Sequence, residues 1–138
     1  VGGSLYAVAL EDGSMYGLLG DGWLAMPPEG IPKARWPHTA VWTGSRMIIW
    51  GGTSPNCGSE GGVCSDGAAY APATDTWAPL RTEGAPSARS EHVGLWTGNA
   101  LFIWGGMGGG GSHAPPFGWC FVGPVSGWVL PTTKAPHA

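Results

Sequence analysis

Cys57 and Cys64 bracket the segment NCGSEGGVC, with six residues between them and Gly61-Gly62 able to make the bend. That spacing admits a loop disulfide, two free thiols or, with further Cys or His ligands close by, a metal site. The disulfide is the reading carried forward. It closes a short loop worth about 2.5 kcal/mol by chain entropy and calls for an oxidising compartment, hence an extracellular or periplasmic location. Cys120 is the odd cysteine and has no acid, base or cation beside it in sequence, so it reads as a small apolar side chain, not a nucleophile.

Arg35 and Arg89 occur in equivalent settings, as do His38 and His92, within ARWPHTAVWTGSRMIIWGG (residues 34–52) and ARSEHVGLWTGNALFIWGG (88–106). A catalytic group is needed once; a group present in every copy is expected to hold the copies together. These side chains are therefore expected to hydrogen-bond backbone carbonyls or polar groups of a neighbouring unit. Asp21 and Asp75 also repeat, in turns where an Asx side chain can bond nearby backbone amides. His113, in GGMGGGGSHAPPF, does not repeat. The glycines before it invite comparison with a phosphate-binding loop, but no Gly-Lys-Ser/Thr opens a helix there, so a surface loop is expected.

The elements that must position these residues are strands. Residues 12–52 laid over 66–106 at a constant offset of 54 agree at 18 of 41 positions, and such self-similarity marks a repeat architecture. In each copy a β-branched or aromatic strand (Thr39 to Trp42, Val93 to Trp96) is followed by Thr-Gly, where Gly44 and Gly98 suit a two-residue hairpin turn. The returning strands, Met47 to Trp50 and Leu101 to Trp104, are apolar without alternation and are expected to be covered on both faces. Gly51-Gly52 and Gly105-Gly106 then permit a sharp exit. Third and fourth strands are expected around Gly67 to Tyr70 and Trp77, with the aromatic spacing of seven repeated as Tyr16 to Trp23, Tyr70 to Trp77 and Phe121 to Trp128.

Four short antiparallel strands per unit of about 50 residues, a Gly-Gly doublet, and a Tyr and Trp at fixed spacing follow the kelch pattern. The chain resembles a piece of a kelch-type β-propeller, and is most similar to bacterial extracellular kelch-repeat proteins with units of the form ARxxHxxxWTGxxxxIWGG then GxxYxPxTDTW. The match runs over nearly all of the chain. It departs in the last unit, where Gly123-Pro124-Val125-Ser126-Gly127 replaces the Pro-x-Thr-Asp-Thr turn and the offset becomes 51. The resemblance implies an all-β fold, a partial propeller of four-stranded antiparallel blades. Residues 1–33 form a half blade and linker, 34–87 a first repeat, and 88–138 a second repeat with the start of the next linker. Propellers close with four to eight blades. This segment, about two and a half blades long, is expected to be completed by further blades in cis, or in trans by another copy or another chain.

Composition narrows the partners. Six Lys and Arg stand against nine Asp and Glu, a net charge of −3, so no basic surface is available for a phosphate backbone and nucleic acid is not expected. No apolar run reaches the roughly 18 residues of a membrane helix. Gly and Pro are abundant, but nine Trp supply aromatic surface that a disordered chain lacks. No signal peptide is expected in the segment that begins at Val1, and both ends are expected to be cuts within a longer polypeptide.

The repeat absorbs nearly every distinctive residue, leaving the loops after the second strands as candidate recognition tips: Asn56 and Glu60 in one, Met107, His113 and Phe117 in the other. The expected function is a non-enzymatic binding or scaffold module for a protein or glycan, with no cofactor. The alternative is part of a propeller enzyme with its catalytic residues outside this segment. A copper radical oxidase would need a Tyr-Cys pair, a second Tyr and two His on one face. A quinone-dependent dehydrogenase is suggested by GGSLYAVALEDGSMYG at residues 2–17.

Overall fold

The computed structural model describes residues 10–58, 62–108, 120–122 and 128–129, the last two segments as backbone. The described residues form ten short strands and no α-helix: β1 (Ser14–Gly17), β2 (Gly22–Ala25), β3 (Thr39–Trp42), β4 (Met47–Trp50), β5 (Gly67–Ala71), β6 (Thr76–Pro79), β7 (Val93–Trp96), β8 (Leu101–Trp104), β9 (Cys120–Val122) and β10 (Trp128–Val129). The chain is all-β. Each strand pairs antiparallel with its sequence neighbour, giving an N-terminal hairpin β1-β2, a central sheet β3-β4-β5-β6 and a C-terminal sheet β7-β8-β9-β10.

The turns follow from backbone chemistry. Gly44 and Gly98 close the β3-β4 and β7-β8 hairpins at φ +99° and +104°, a region that a side chain resists. Threonine completes each turn. The Thr43 hydroxyl accepts from the Arg46 amide (3.0 Å), while the Thr43 amide donates to the Arg46 carbonyl (2.9 Å). In the other hairpin the Thr97 amide bonds Ala100 O and its hydroxyl bonds Asn99 Oδ1.

Strand register sorts the central sheet into two faces. Val41, Ile48 and Ala69 are mutual cross-strand partners, and Trp50 lies two residues along from Ile48 on the same side. This face meets Leu101 and Ile103 of the C-terminal sheet in one core cluster, with Trp96 and Leu80 packed at its margin. Ala68, Tyr70 and Trp77 lie on the opposite face, where Met26 and Ile31 pack with Met47 and Ile49 to form a second cluster. The two sheets approach most closely along β3 and β7. A Cβ on Gly94 would overlap the Thr39 side chain there, which accounts for a glycine inside a strand.

Coverage on both faces holds for β4, whereas among the described residues β8 is covered on one face only. Leu101 and Ile103 are buried, whereas Val93, Leu95 and Trp104 on the far side of the C-terminal sheet are exposed. The same asymmetry runs through the repeat. Trp50 is 0 % exposed and its counterpart Trp104 38 %; Tyr70 is 2 % and Tyr16 42 %; Trp77 is 9 % and Trp23 72 %. Equivalent residues differ because only the central sheet has a described neighbour on each side.

Candidate functional site

The segment between β4 and β5 leaves the sheet through Gly51 and Gly52, both at positive φ (+68° and +94°). Thr53 pairs with Trp36 and with Val63 in isolated bridges, so the loop base continues the sheet. Cys57 and Cys64 are joined in a disulfide with their Cα atoms 5.2 Å apart. Cys64 is buried, and of three backbone bonds at the base of this loop two tie it to the segment leading into the next sheet. Gly52 N–H donates to Arg89 O (2.9 Å), Arg89 N–H donates to Cys64 O (3.2 Å), and Cys64 N–H donates to Gly52 O (2.8 Å). The loop is a spacer wedged between two sheets, held on one side by sulfur and on the other by amides.

Both repeated arginines are buried and bond the backbone. Arg35 Nε donates to Lys33 O (2.9 Å) and Nη1 to Gly51 O (3.2 Å), and the guanidinium meets the Asp66 carboxylate at 2.9 Å. Arg89 repeats the first two bonds on Ser87 O (3.1 Å) and Gly105 O (2.9 Å), with Ser87 Oγ as an added acceptor. Asp66 escaped the sequence reading. The acid recurs as Asp12 at the offset of 54, but in the second repeat the register that aligns Phe121 with Tyr70 puts Phe117 in its place, so the sequence offers Arg89 no equivalent acid.

Of the two histidines, His38 takes the expected hydrogen bond to a backbone carbonyl and His92 does not. His38, exposed, bonds the Arg35 carbonyl through Nδ1 (3.1 Å). His92 stands edge-on to Trp50 across the sheet interface, with ring centroids 5.1 Å apart at 77°, and neither ring nitrogen makes a hydrogen bond of ordinary geometry. Burial lowers its pKa from 6.5 to about 4, and the Arg89 charge adds to that; the Trp50 backbone partly opposes it by favouring the protonated ring. His92 is thus a neutral packing group.

Asp21 and Asp75 also differ from expectation. Both sit at positive φ (+47° and +53°), and their carboxylates take the hydroxyls of Tyr16 and Tyr70, the latter at 2.6 Å, not backbone amides. The Asp75 bond raises the Tyr70 pKa, as the Asp21 bond raises that of Tyr16, because an acceptor stabilises the protonated phenol.

Among the candidate tips, Asn56 is exposed with its amide anchored on Ser54 Oγ (3.2 Å). Met107 is exposed and bridges Ser90 through paired backbone bonds of 2.8 and 2.9 Å. Glu60, His113 and Phe117 lie outside the described residues, and Phe121 and Trp128 are placed only as backbone within β9 and β10.

Beside the disulfide is a shallow cleft of about 400 Å³ lined by Lys33, Arg35, Asn56, Cys57, Ser65 and Asp66. Its charges are matched: Lys33 meets Glu11 at 3.0 Å, as Arg35 meets Asp66. The cleft therefore offers directional hydrogen bonding and no net field. Cys57, Cys64 and Asp66 bring ligand atoms within 4.8 Å of one another, but both sulfurs are spent in the disulfide and the carboxylate is engaged by Arg35. That leaves no donor set for a metal in this cluster. A second, larger cleft of about 410 Å³ separates the N-terminal hairpin from the central sheet and is lined mainly by apolar side chains. No helix among the described residues is long and apolar enough to cross a membrane.

No family model matches the chain. A Rho GTPase-activating protein, gacHH of Dictyostelium discoideum, is 34% identical over 88 residues, covering 61% of this chain and 6% of that protein. The chain thus spans about one-sixteenth of the length of the curated relative it matches, and the likeness is local.

Proposed function

We propose that the chain is a segment of a kelch-type β-propeller acting as a non-enzymatic binding or scaffold module, which recognises a protein or glycan through the tips that follow β4 and β8. The observation that carries this reading is the loop base: a disulfide closes the loop, and two backbone bonds to Arg89 hold it in a fixed relation to the neighbouring sheet. Loops fixed on a rigid framework are where recognition is usually placed, and a polar, charge-matched cleft beside that tip suits hydroxyl or amide partners. The repeated units stack face to face with β3 beside β7, which supports the propeller reading, with further blades completing the ring. The disulfide agrees with an extracellular or periplasmic setting.

The test is a glycan array and a peptide array read with the oxidised chain, repeated with Asn56→Ala and Met107→Ala. Selective binding that these substitutions weaken supports the reading. Binding that survives both, together with loss of the disulfide, would defeat it.

A further inference from the structure

Cys57 and Cys64 are held together by more than sulfur. Ser54, fully buried, accepts the Cys57 amide on its carbonyl (3.1 Å) and the Asn56 amide on its hydroxyl (3.2 Å), while its own amide donates to Gly62 O (2.7 Å). Gly62, at φ +69°, closes on Ser54 so tightly that a Cβ would lie 2.9 Å from the Ser54 carbonyl oxygen. On the other side, Cys64 N–H donates to Gly52 O (2.8 Å) and Cys64 O accepts from Arg89 N–H (3.2 Å). Main-chain bonds therefore hold both cysteines, 5.2 Å apart at Cα, independently of the bond between their sulfurs.

Asp66 is fixed beside them. Its carbonyl accepts the Gly51 amide (3.0 Å) and Arg35 Nη1 (3.2 Å). Arg35 Nη1 also lies 2.9 Å from Oδ1 of the carboxylate, whereas Nη2 is 3.5 Å from Oδ2. One carboxylate oxygen is thus engaged and the other nearly free, on a side chain that is 56 % exposed. The two sulfurs and a carboxylate oxygen lie within 4.8 Å of one another. Donors on one tetrahedral zinc ion, at about 2.3 Å for sulfur and about 2.1 Å for oxygen, are spaced by roughly 3.5 to 3.8 Å. All three residues line the 400 Å³ cleft, which gives solvent a path to the cluster. The second repeat has no cysteine between Met107 and Phe117, so the repeat architecture does not require this pair.

We infer that reduction converts the loop base into a zinc site, ligated by Cys57 Sγ, Cys64 Sγ and the Asp66 carboxylate, with water from the cleft in the fourth position. A dithiol delivers two electrons and two protons, is itself oxidised to a disulfide, and leaves two thiols in the loop. Each thiol gives up its proton as its sulfur binds the ion. Two thiolates and a carboxylate bring three negative charges to a dication, and Arg35 supplies the remaining positive charge through the outer hydrogen bond that orients a ligating acid. In the oxidised chain the sulfurs are bonded to each other and the site is closed, so metal uptake follows the redox state of the loop. The inference rests on the loop base and not on what the Asn56 and Met107 tips recognise. Its failure would leave array binding by the oxidised chain untouched, and the reverse holds too.

The test is a titration of Co²⁺, then Zn²⁺, into the 138-residue chain reduced with a phosphine and freed of it under argon, beside the oxidised chain. The reduced chain is expected to bind one equivalent with a Kd of about 1 μM or tighter, with a sulfur-to-cobalt charge-transfer band that Zn²⁺ abolishes. Amide exchange at Arg89 and Gly52 should slow when zinc is added. Asp66→Asn is expected to weaken binding by roughly tenfold or more, Cys57→Ser and Cys64→Ser to remove the charge-transfer band, and Cys120→Ser to leave both unchanged. Cys64 is buried and its substitution can disturb the fold, so Cys57→Ser and Asp66→Asn carry the decision. Equal binding by the oxidised chain, binding that survives Cys57→Ser and Asp66→Asn, or absence of binding at about 0.1 mM metal overturns the inference. So does a reduced chain that unfolds and takes up no metal.

Discussion

His92 and Trp50 come from successive copies of the repeat and meet edge to face across the boundary between two sheets, 5.1 Å apart. Gly51 makes this possible: a Cβ there would lie 2.6 Å from His92 Cε1, while at Gly105, with the same φ of +68°, nothing described stands within 4 Å. The His ring is the plug and the glycine the socket. Among the described residues the equivalent socket at the end of the C-terminal sheet is unfilled.

A buried neutral histidine makes stability depend on pH. The folded pKa of about 4 lies below the ordinary 6.5, so the unfolded chain binds the proton first as pH falls. The His92 contribution is therefore whole above about pH 6.5 and is lost between there and pH 4. Allowing for partial exposure, the loss is on the order of 2 kcal/mol. Thermal melts of the wild type and His92→Gln at pH 7 and pH 4.5 check it: the drop on acidification should be larger for the wild type. Equal drops would refute the assignment.

Truncating equivalent tryptophans should have unequal effects. Trp50→Ala opens a cavity at a fully buried site and is expected to cost about 3 to 5 kcal/mol, whereas Trp104→Ala, on the uncovered face, should cost under about 1 kcal/mol. Urea unfolding of the two variants measures the difference. Comparable losses would mean that both faces are covered.

Gly94→Ala places a methyl group in the Thr39 side chain and is expected to destabilise by roughly 1 to 3 kcal/mol through overpacking between β3 and β7. Thr39→Ala in the same chain removes the obstructing atoms and should restore part of that loss. A double-mutant cycle reads the coupling directly. Strict additivity would place the two residues out of contact.

Reducing the Cys57-Cys64 bond, or replacing both by Ser, should lower stability by about 2.5 kcal/mol. It should also speed amide exchange at Arg89 and Gly52, whose bonds share a ring with Cys64. Calorimetry with and without reductant, followed by exchange mass spectrometry, separates the two effects. A melting shift without faster exchange at Arg89 would leave the loop and the next sheet uncoupled.

Strands and turns were legible because short-range chemistry writes them. Gly44 and Gly98 mark the hairpins by the backbone they permit, and the repeat fixes the order of strands. The inter-sheet contacts were not legible, since His92 and Trp50 meet through stacking that no spacing within one copy encodes. Asp66 was missed because its pairing with Arg35 does not recur: the acid has a counterpart in Asp12, but Phe117 stands in its place after Arg89. The Tyr-Asp pairs did carry a signal: an Asp follows the Tyr by five residues at Tyr16 and Tyr70, while Phe121, which lacks a hydroxyl, is followed at that distance by Ser126. Donor and acceptor vanish together in the third unit, so their partnership could have been read from the chain itself. Of the candidate tip residues, Asn56 and Met107 fall within the described residues and are exposed.

The sulfur link between residues 57 and 64 also changes what a cut would do. A protease that cleaved after Glu60 would break the main chain inside a closed ring, leaving the N-terminal and C-terminal portions as one covalent body. On a non-reducing gel the nicked protein would migrate as a single species, and it would fall into two fragments only after reduction.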